Sequence, residues 1–155
     1  MRNIHDTSDL VGYDEDHHAW MLEQIALLKA ERFTDIDIKN LADELRALVN
    51  SLQGEIESRL TILLQHLLKW QFQPKSRTNS WRATVLEQRF RINRIIRKSP
   101  SLRRYPSLVI AEEYLIARLR ASDETGLPLH RLPNECLYSI DQVLDEEFWP
   151  GRLAG

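Results

Sequence analysis

Glu44, Glu55 and His66 are spaced by eleven residues each, which is three turns of α-helix. Three groups able to ligate a metal or move protons therefore fall nearly on one helix face. At 1.5 Å rise per residue, neighbours in this row stand about 16 Å apart, too far to share one ion. A common site would need help from facing helices, as in carboxylate bundles where glutamates combine with paired Glu-x-x-His motifs. His17 and His18 are the available helpers, yet the single Glu-x-x-His runs from Glu15 to His18 at a helix start, and its counterpart is missing. Metal binding demands several converging ligands, so the pattern predicts neither metal nor cofactor. A metal-dependent or hydrolytic enzyme using Glu44, Glu55 and His66 stays open beside a structural reading. In the latter, Glu44 and Glu55 belong to ion pairs, Glu55 with Arg59 at i,i+4 and with a third-helix arginine, Arg94 or Arg97, inside the bundle.

A second cluster surrounds a turn. His66, Lys69 and Trp70 share one helix side, and Ser80, Trp81 and Arg82 open the next helix across the turn. A functional reading makes His66, Lys69, Trp70, Trp81 and Arg82 an anion-binding pocket with His66 moving a proton. A structural reading makes the tryptophans core aromatics that lock the hairpin, with Lys69 and Arg82 as solvated heads on apolar stems. No nucleophile or second acid-base group completes a reaction.

Charge is segregated. Residues 75–104 hold ten basic residues and one acid, Glu87, whereas the remainder holds eleven basic residues and twenty-two acids. Arg89, Arg91, Arg94, Arg97, Arg103 and Arg104 are candidates to neutralise nucleic-acid phosphates. The alternative is complementarity with Asp43, Glu44, Glu55, Glu57, Glu112 and Glu113, within the chain or in a homodimer. Leu86 and Phe90 lie among the basic residues, either covered by the fourth helix or part of a contact surface.

The elements that position these groups follow from apolar residues at three- and four-residue steps, with no alternating strand pattern. The prediction is all-α: a single-domain helical bundle over 13–150, preceded by a flexible arm over 1–12 and followed by a tail over 151–155. A first helix runs from about Asp14 to Glu31, with Trp20, Ile25, Leu27 and Leu28 on its apolar side. Thr34 or Asp35 caps a long second helix whose stripe runs Leu41, Leu45, Leu48, Leu52, Ile56, Leu60, Leu63 and Leu67, to end near Phe72. Gly54 inside it marks a close helix contact. A third helix, Trp81 to about Lys98 and capped by Ser80, folds back antiparallel, which places Glu55 near Arg94 to Lys98. Pro106 opens a fourth helix whose Leu108, Ile110, Tyr114, Leu115 and Leu119 are expected near the core. An extended crossing over 127–133 leads to a short C-terminal helix capped by Ser139.

With 155 residues and 43% hydrophobic content, the chain suits one core. Its lone Cys136 excludes an intrachain disulfide, fits a reducing, cytoplasmic setting and reads as a small apolar residue. No window resembles a membrane span or export signal.

Ala19-Trp20, Leu41 to Leu45, His66-Leu67-Leu68-Lys69-Trp70, Ser80-Trp81-Arg82, Ser99-Pro100-Ser101-Leu102, Glu124-Thr125-Gly126-Leu127-Pro128 and Phe148-Trp149-Pro150 together resemble the bacterial family called domain of unknown function 29. Asp43 stands where that pattern has a glutamate, and Cys136-Leu137-Tyr138 lacks its proline. The resemblance implies an almost entirely helical bacterial protein, typical of cyanobacteria and some proteobacteria, without assigned activity or cofactor. Residues and resemblance together favour a non-enzymatic protein-interaction module, partnered by another protein or by itself as a homodimer. A nucleic-acid-associated protein is the first alternative, and no membrane partner is expected.

Overall fold

The structure, a computed structural model, describes residues 10–151. The predicted arm and tail fall mainly on residues 1–9 and 152–155, outside the described residues. Among the described residues five α-helices form: α1 (His17–Lys29), α2 (Ile38–Phe72), α3 (Asn79–Lys98), α4 (Tyr105–Thr125) and α5 (Ile140–Leu144). Among the described residues there is no strand, and the fold is an all-α bundle. The described residues divide into two compact units, with the boundary between Asn50 and Ser51.

In the first unit, Asp16 caps α1 by accepting from the Ala19 amide at 2.9 Å. Trp20, Gln24 and Leu27 are its buried residues, at 4- and 3-residue steps. Asp37, rather than Thr34 or Asp35, receives the amide of Asn40 where α2 begins, at 3.3 Å. Asp37 also accepts from the Trp20 indole at 3.2 Å and donates its own amide to Gln24 at 2.8 Å. The carboxylate is thereby held below its ordinary pKa, first by the Asn40 side chain.

The second unit is built on the antiparallel pair formed by the later part of α2 and α3. The pairing register is visible in side-chain partners: Lys69 meets Trp81, Arg59 donates to Gln88, and Glu55 shares a cleft with Arg94 and Lys98. The register expected from the turn is therefore observed. Thr78, two residues before the expected Ser80, caps α3 by accepting from the Trp81 amide at 3.1 Å. Leu60, Leu63, Leu64, Leu67 and Leu68 of α2 pack with Val85 and Ile92 of α3 and with Tyr114, Ala117 and Ala121 of α4. Gly126, with φ +73°, ends α4 in the left-handed conformation that glycine adopts without a Cβ penalty.

Three expectations about packing are corrected. The stripe on α2 is buried only from Ile56 onward, while Leu45, Leu48 and Leu52 are open to solvent; on α1, Ile25 and Leu28 are open as well. On α4, Tyr114 is buried, but Leu108, Leu115 and Leu119 are exposed, because the α4 face that meets α2 carries alanines and Tyr114 instead. Gly54 marks no close contact, since a Cβ there meets nothing within 4 Å.

Candidate functional site

Lys69 lies on the buried side of α2, only 1% exposed, although lysine is almost never fully buried without a partner. Its Nζ donates to Glu124 at 2.5 Å and stands 4.3 Å from the centroid of the Trp81 ring. Glu124 also accepts from Gln65 at 2.6 Å. The Lys69 ammonium holds the Glu124 carboxyl below its ordinary pKa. These groups, with Gln73, Ser76 and Thr125, line a polar cleft of about 200 Å³. The ammonium is already neutralised by Glu124, so the cleft does not present a free positive charge to an anion.

Of the five residues expected to form a pocket, the structure brings only Lys69 and Trp81 to this cleft. Trp70 turns to Trp149, with ring centroids 4.5 Å apart, and Arg77 covers it. Arg82 is exposed and makes no ion pair among the described residues. His66 is half-buried, and its Nδ1 donates to the Ile62 carbonyl at 2.8 Å. Burial lowers the pKa of His66 from 6.5.

The first unit contains a different feature. A groove of about 210 Å³ runs between α1 and the start of α2, lined by Trp20, Met21, Ile25, Leu28, Leu41, Leu45 and Leu48 together with Gln24 and Glu44. Leu45 is 57% exposed, Leu48 63% and nearby Ile38 71%. The charge on its wall, Glu44, accepts from the Tyr13 hydroxyl at 2.6 Å and pairs with His17 Nε2 at 2.8 Å. Those two partners hold the Glu44 carboxyl below its ordinary pKa.

The sequence pattern of one known family matches residues 12–149. The chain belongs to the family described as domain of unknown function DUF29. No curated protein and no solved structure matches it. Several pieces that carry the DUF29 resemblance converge: Lys69, Trp81 and Glu124 meet at the polar cleft, and Trp70 meets Trp149.

In this DUF29 chain the Glu44, Glu55 and His66 row is resolved into separate local roles. Glu55, rather than neutralising a third-helix arginine inside the bundle, is exposed and pairs with Arg59 at 2.9 Å on its own helix. No group of three or more His, Cys, Asp or Glu side chains suited to a metal occurs among the described residues. Two of the other acids expected to face arginines engage hydroxyls: Thr61 donates to the buried Glu113, and Tyr105 donates to Glu57.

Among the nucleic-acid candidates, Arg89 is withdrawn from any surface. It is fully buried, and donates to the carbonyls of Val143 and Phe148, each at 2.8 Å. Burial lowers its pKa to about 10. Arg91 pairs with Glu87 at 2.9 Å. Arg94, Arg97, Arg103 and Arg104 are exposed and form no ion pair among the described residues. Arg94 lines a cleft of about 280 Å³ with Arg91, Lys98, Ser99 and Glu55. Phe90 is exposed rather than covered by α4, with Arg97 5.9 Å from its ring centroid, whereas Leu86 packs against the core.

Two sets of residues escaped the sequence reading. Glu57, Thr61, Gln65 and Lys69 recur every four residues and latch α2 to Tyr105, Glu113 and Glu124 of α4. Their signal was a polar row at helical spacing on the apolar half of α2. Tyr13 and His17 were missed as partners of Glu44 because nothing local marks a contact that spans 31 and 27 residues. Cys136 is half-buried, and its thiol pKa is raised by burial, which lowers its thiolate fraction.

Proposed function

We propose that this DUF29 protein is a non-enzymatic interaction module that seats a helical protein surface on the apolar seam of α1 and early α2. The observation that carries this reading is six large side chains, Met21, Ile25, Leu28, Ile38, Leu45 and Leu48, left open on one short helical hairpin. They leave on the order of 600 Å² exposed, at the upper end for the largest apolar patch of a typical monomer. The Glu44 carboxylate is occupied by Tyr13 and His17, and the polar cleft at Lys69 is internally neutralised, which argues for recognition of apolar surface over catalysis. No described helix is long and apolar enough to cross a membrane. A reducing compartment such as the cytoplasm suits a chain with one cysteine. The test is a photo-crosslinking side chain installed at position 48 and, as control, at exposed Lys75, with irradiation in cells. A protein adduct from position 48 that disappears on Leu45→Glu is the expected result; no adduct would remove the reading.

A second reading is favoured by one specific observation, the unpaired basic surface of Arg94, Arg97, Lys98, Arg103 and Arg104 beside exposed Phe90. Such a surface suits single-stranded nucleic acid, with phosphates neutralised and a base stacked on the ring. Fluorescence anisotropy with labelled oligonucleotides across a salt series tests it. Binding that weakens with salt and is lost in Arg94→Ala/Arg97→Ala supports it, and affinity indifferent to both changes removes it.

A further inference from the structure

Resting on the interaction reading, we propose that the occupant of the seam is a second copy of this chain, the two α1–α2 hairpins joining in a two-fold four-helix bundle. The spacing argues first. Ile38, Leu41, Leu45 and Leu48 alternate at steps of three and four, and so do Met21, Ile25 and Leu28. Leu22, Ala42 and Val49 extend each row on one flank. This is the apolar pattern of helices that face the core of a bundle, with a and d positions supported by e. A single hairpin supplies two of the helices such a core requires and leaves the outer side of both rows exposed.

Self-complementarity argues next. Among the described residues that line the seam, Glu44 alone carries a charge, and its carboxylate is engaged by Tyr13 and His17. The partners of this carboxylate come from its own hairpin, so an identical apolar surface can cover the rows without having to supply one. A two-fold contact uses the same patch on both copies and closes without open-ended assembly. The open area, on the order of 600 Å² per copy before its rim is counted, approaches the ~800 Å² per partner of a standard interface.

Charge provides the discriminating property. Residues 10–50 hold nine acids and four basic residues, so two such hairpins repel each other while their seams attract. Added salt screens the repulsion and tightens this dimer. A dimer made by the basic α3 region meeting acids of another copy would loosen instead.

The experiment is sedimentation equilibrium of the full chain over a concentration series at low and high salt. The expected result is a dimer that strengthens with salt and that Leu45→Glu/Leu48→Glu weakens by about thirtyfold or more with unchanged far-ultraviolet circular dichroism. A chain monomeric at every concentration, a dimer loosened by salt, or a dimer indifferent to the substitutions would overturn the proposal. Should the double variant misfold, spin labels on Leu48→Cys in a Cys136→Ser background decide: dipolar coupling between copies supports the seam contact, and its absence in a dimer overturns it. The mass of the cellular adduct from position 48 separates the two readings. Twice the chain mass supports a second copy, whereas another mass overturns the second copy and leaves the interaction module standing.

Discussion

The Arg89 guanidinium lies 5.4 Å from the centroid of the Trp149 ring while donating to the carbonyls of Val143 and Phe148, so one α3 side chain holds both ends of the segment between α5 and the closing aromatic pair. Burying this cation has a visible cost, since its Nη1 has no partner among the described residues and its pKa falls to about 10. The return is satisfaction of two carbonyls that no helix or sheet ladder serves.

Arg89→Leu should therefore destabilise the fold by about 2–4 kcal/mol, because two acceptors lose their donors in a largely buried setting. Urea unfolding measures the loss. The oligonucleotide affinity of the folded variant should equal that of the parent, since Arg89 reaches no surface.

Lys69 and Glu124 should respond asymmetrically. Glu124→Ala leaves an ammonium buried with only the Trp81 face beside it and should cost about 1–3 kcal/mol, whereas Lys69→Met replaces it by an apolar chain of similar length and should cost less. Equal losses in the two variants, measured by thermal unfolding, would count against this account of the pair.

His66 should make stability fall on mild acidification. Burial disfavours its charged form, so its folded pKa lies below 6.5. As pH drops below 6.5, the unfolded chain takes up a proton that the folded chain resists, and stability declines. Comparing urea midpoints at about pH 7.5 and about pH 5.5 should show a smaller decline in His66→Leu than in the parent.

Gly54→Ala should stabilise the protein by about 0.5–1 kcal/mol, since alanine is the better helix former and its Cβ meets nothing within 4 Å. A loss on the same scale would mean that this stretch of α2 packs closely after all.

How much of this was legible depended on the range of the interaction. The hairpin register followed from the position of the turn, and Glu55 does reach the cleft of Arg94 and Lys98. Its ion pair went to Arg59, which stands one turn away on the same helix and needs no tertiary contact to be reached. The α2 stripe was correct as a period but not as burial: Leu45 and Leu60 look alike in sequence, and only the chain packed against each distinguishes them. Arg89 illustrates the opposite error. Its type suggested a surface, yet Val85, Arg89, Ile92 and Ile96 recur at steps of four and three, so its place on the buried side of α3 was written in the pattern. Thr61 and Glu113 meet across 52 residues, a pairing that periodicity does not encode.

The acceptors for Arg89 lie 54 and 59 residues further along the chain. The buried face of α3 and the closing segment are therefore energetically coupled. Until α5 and the Phe148 region are in place, the guanidinium keeps its water, and α3 cannot complete its buried face without stranding a charge. The closing segment thus acts as the keystone of the second unit: small in extent, yet required for α3 to bury its cation with both carbonyls satisfied.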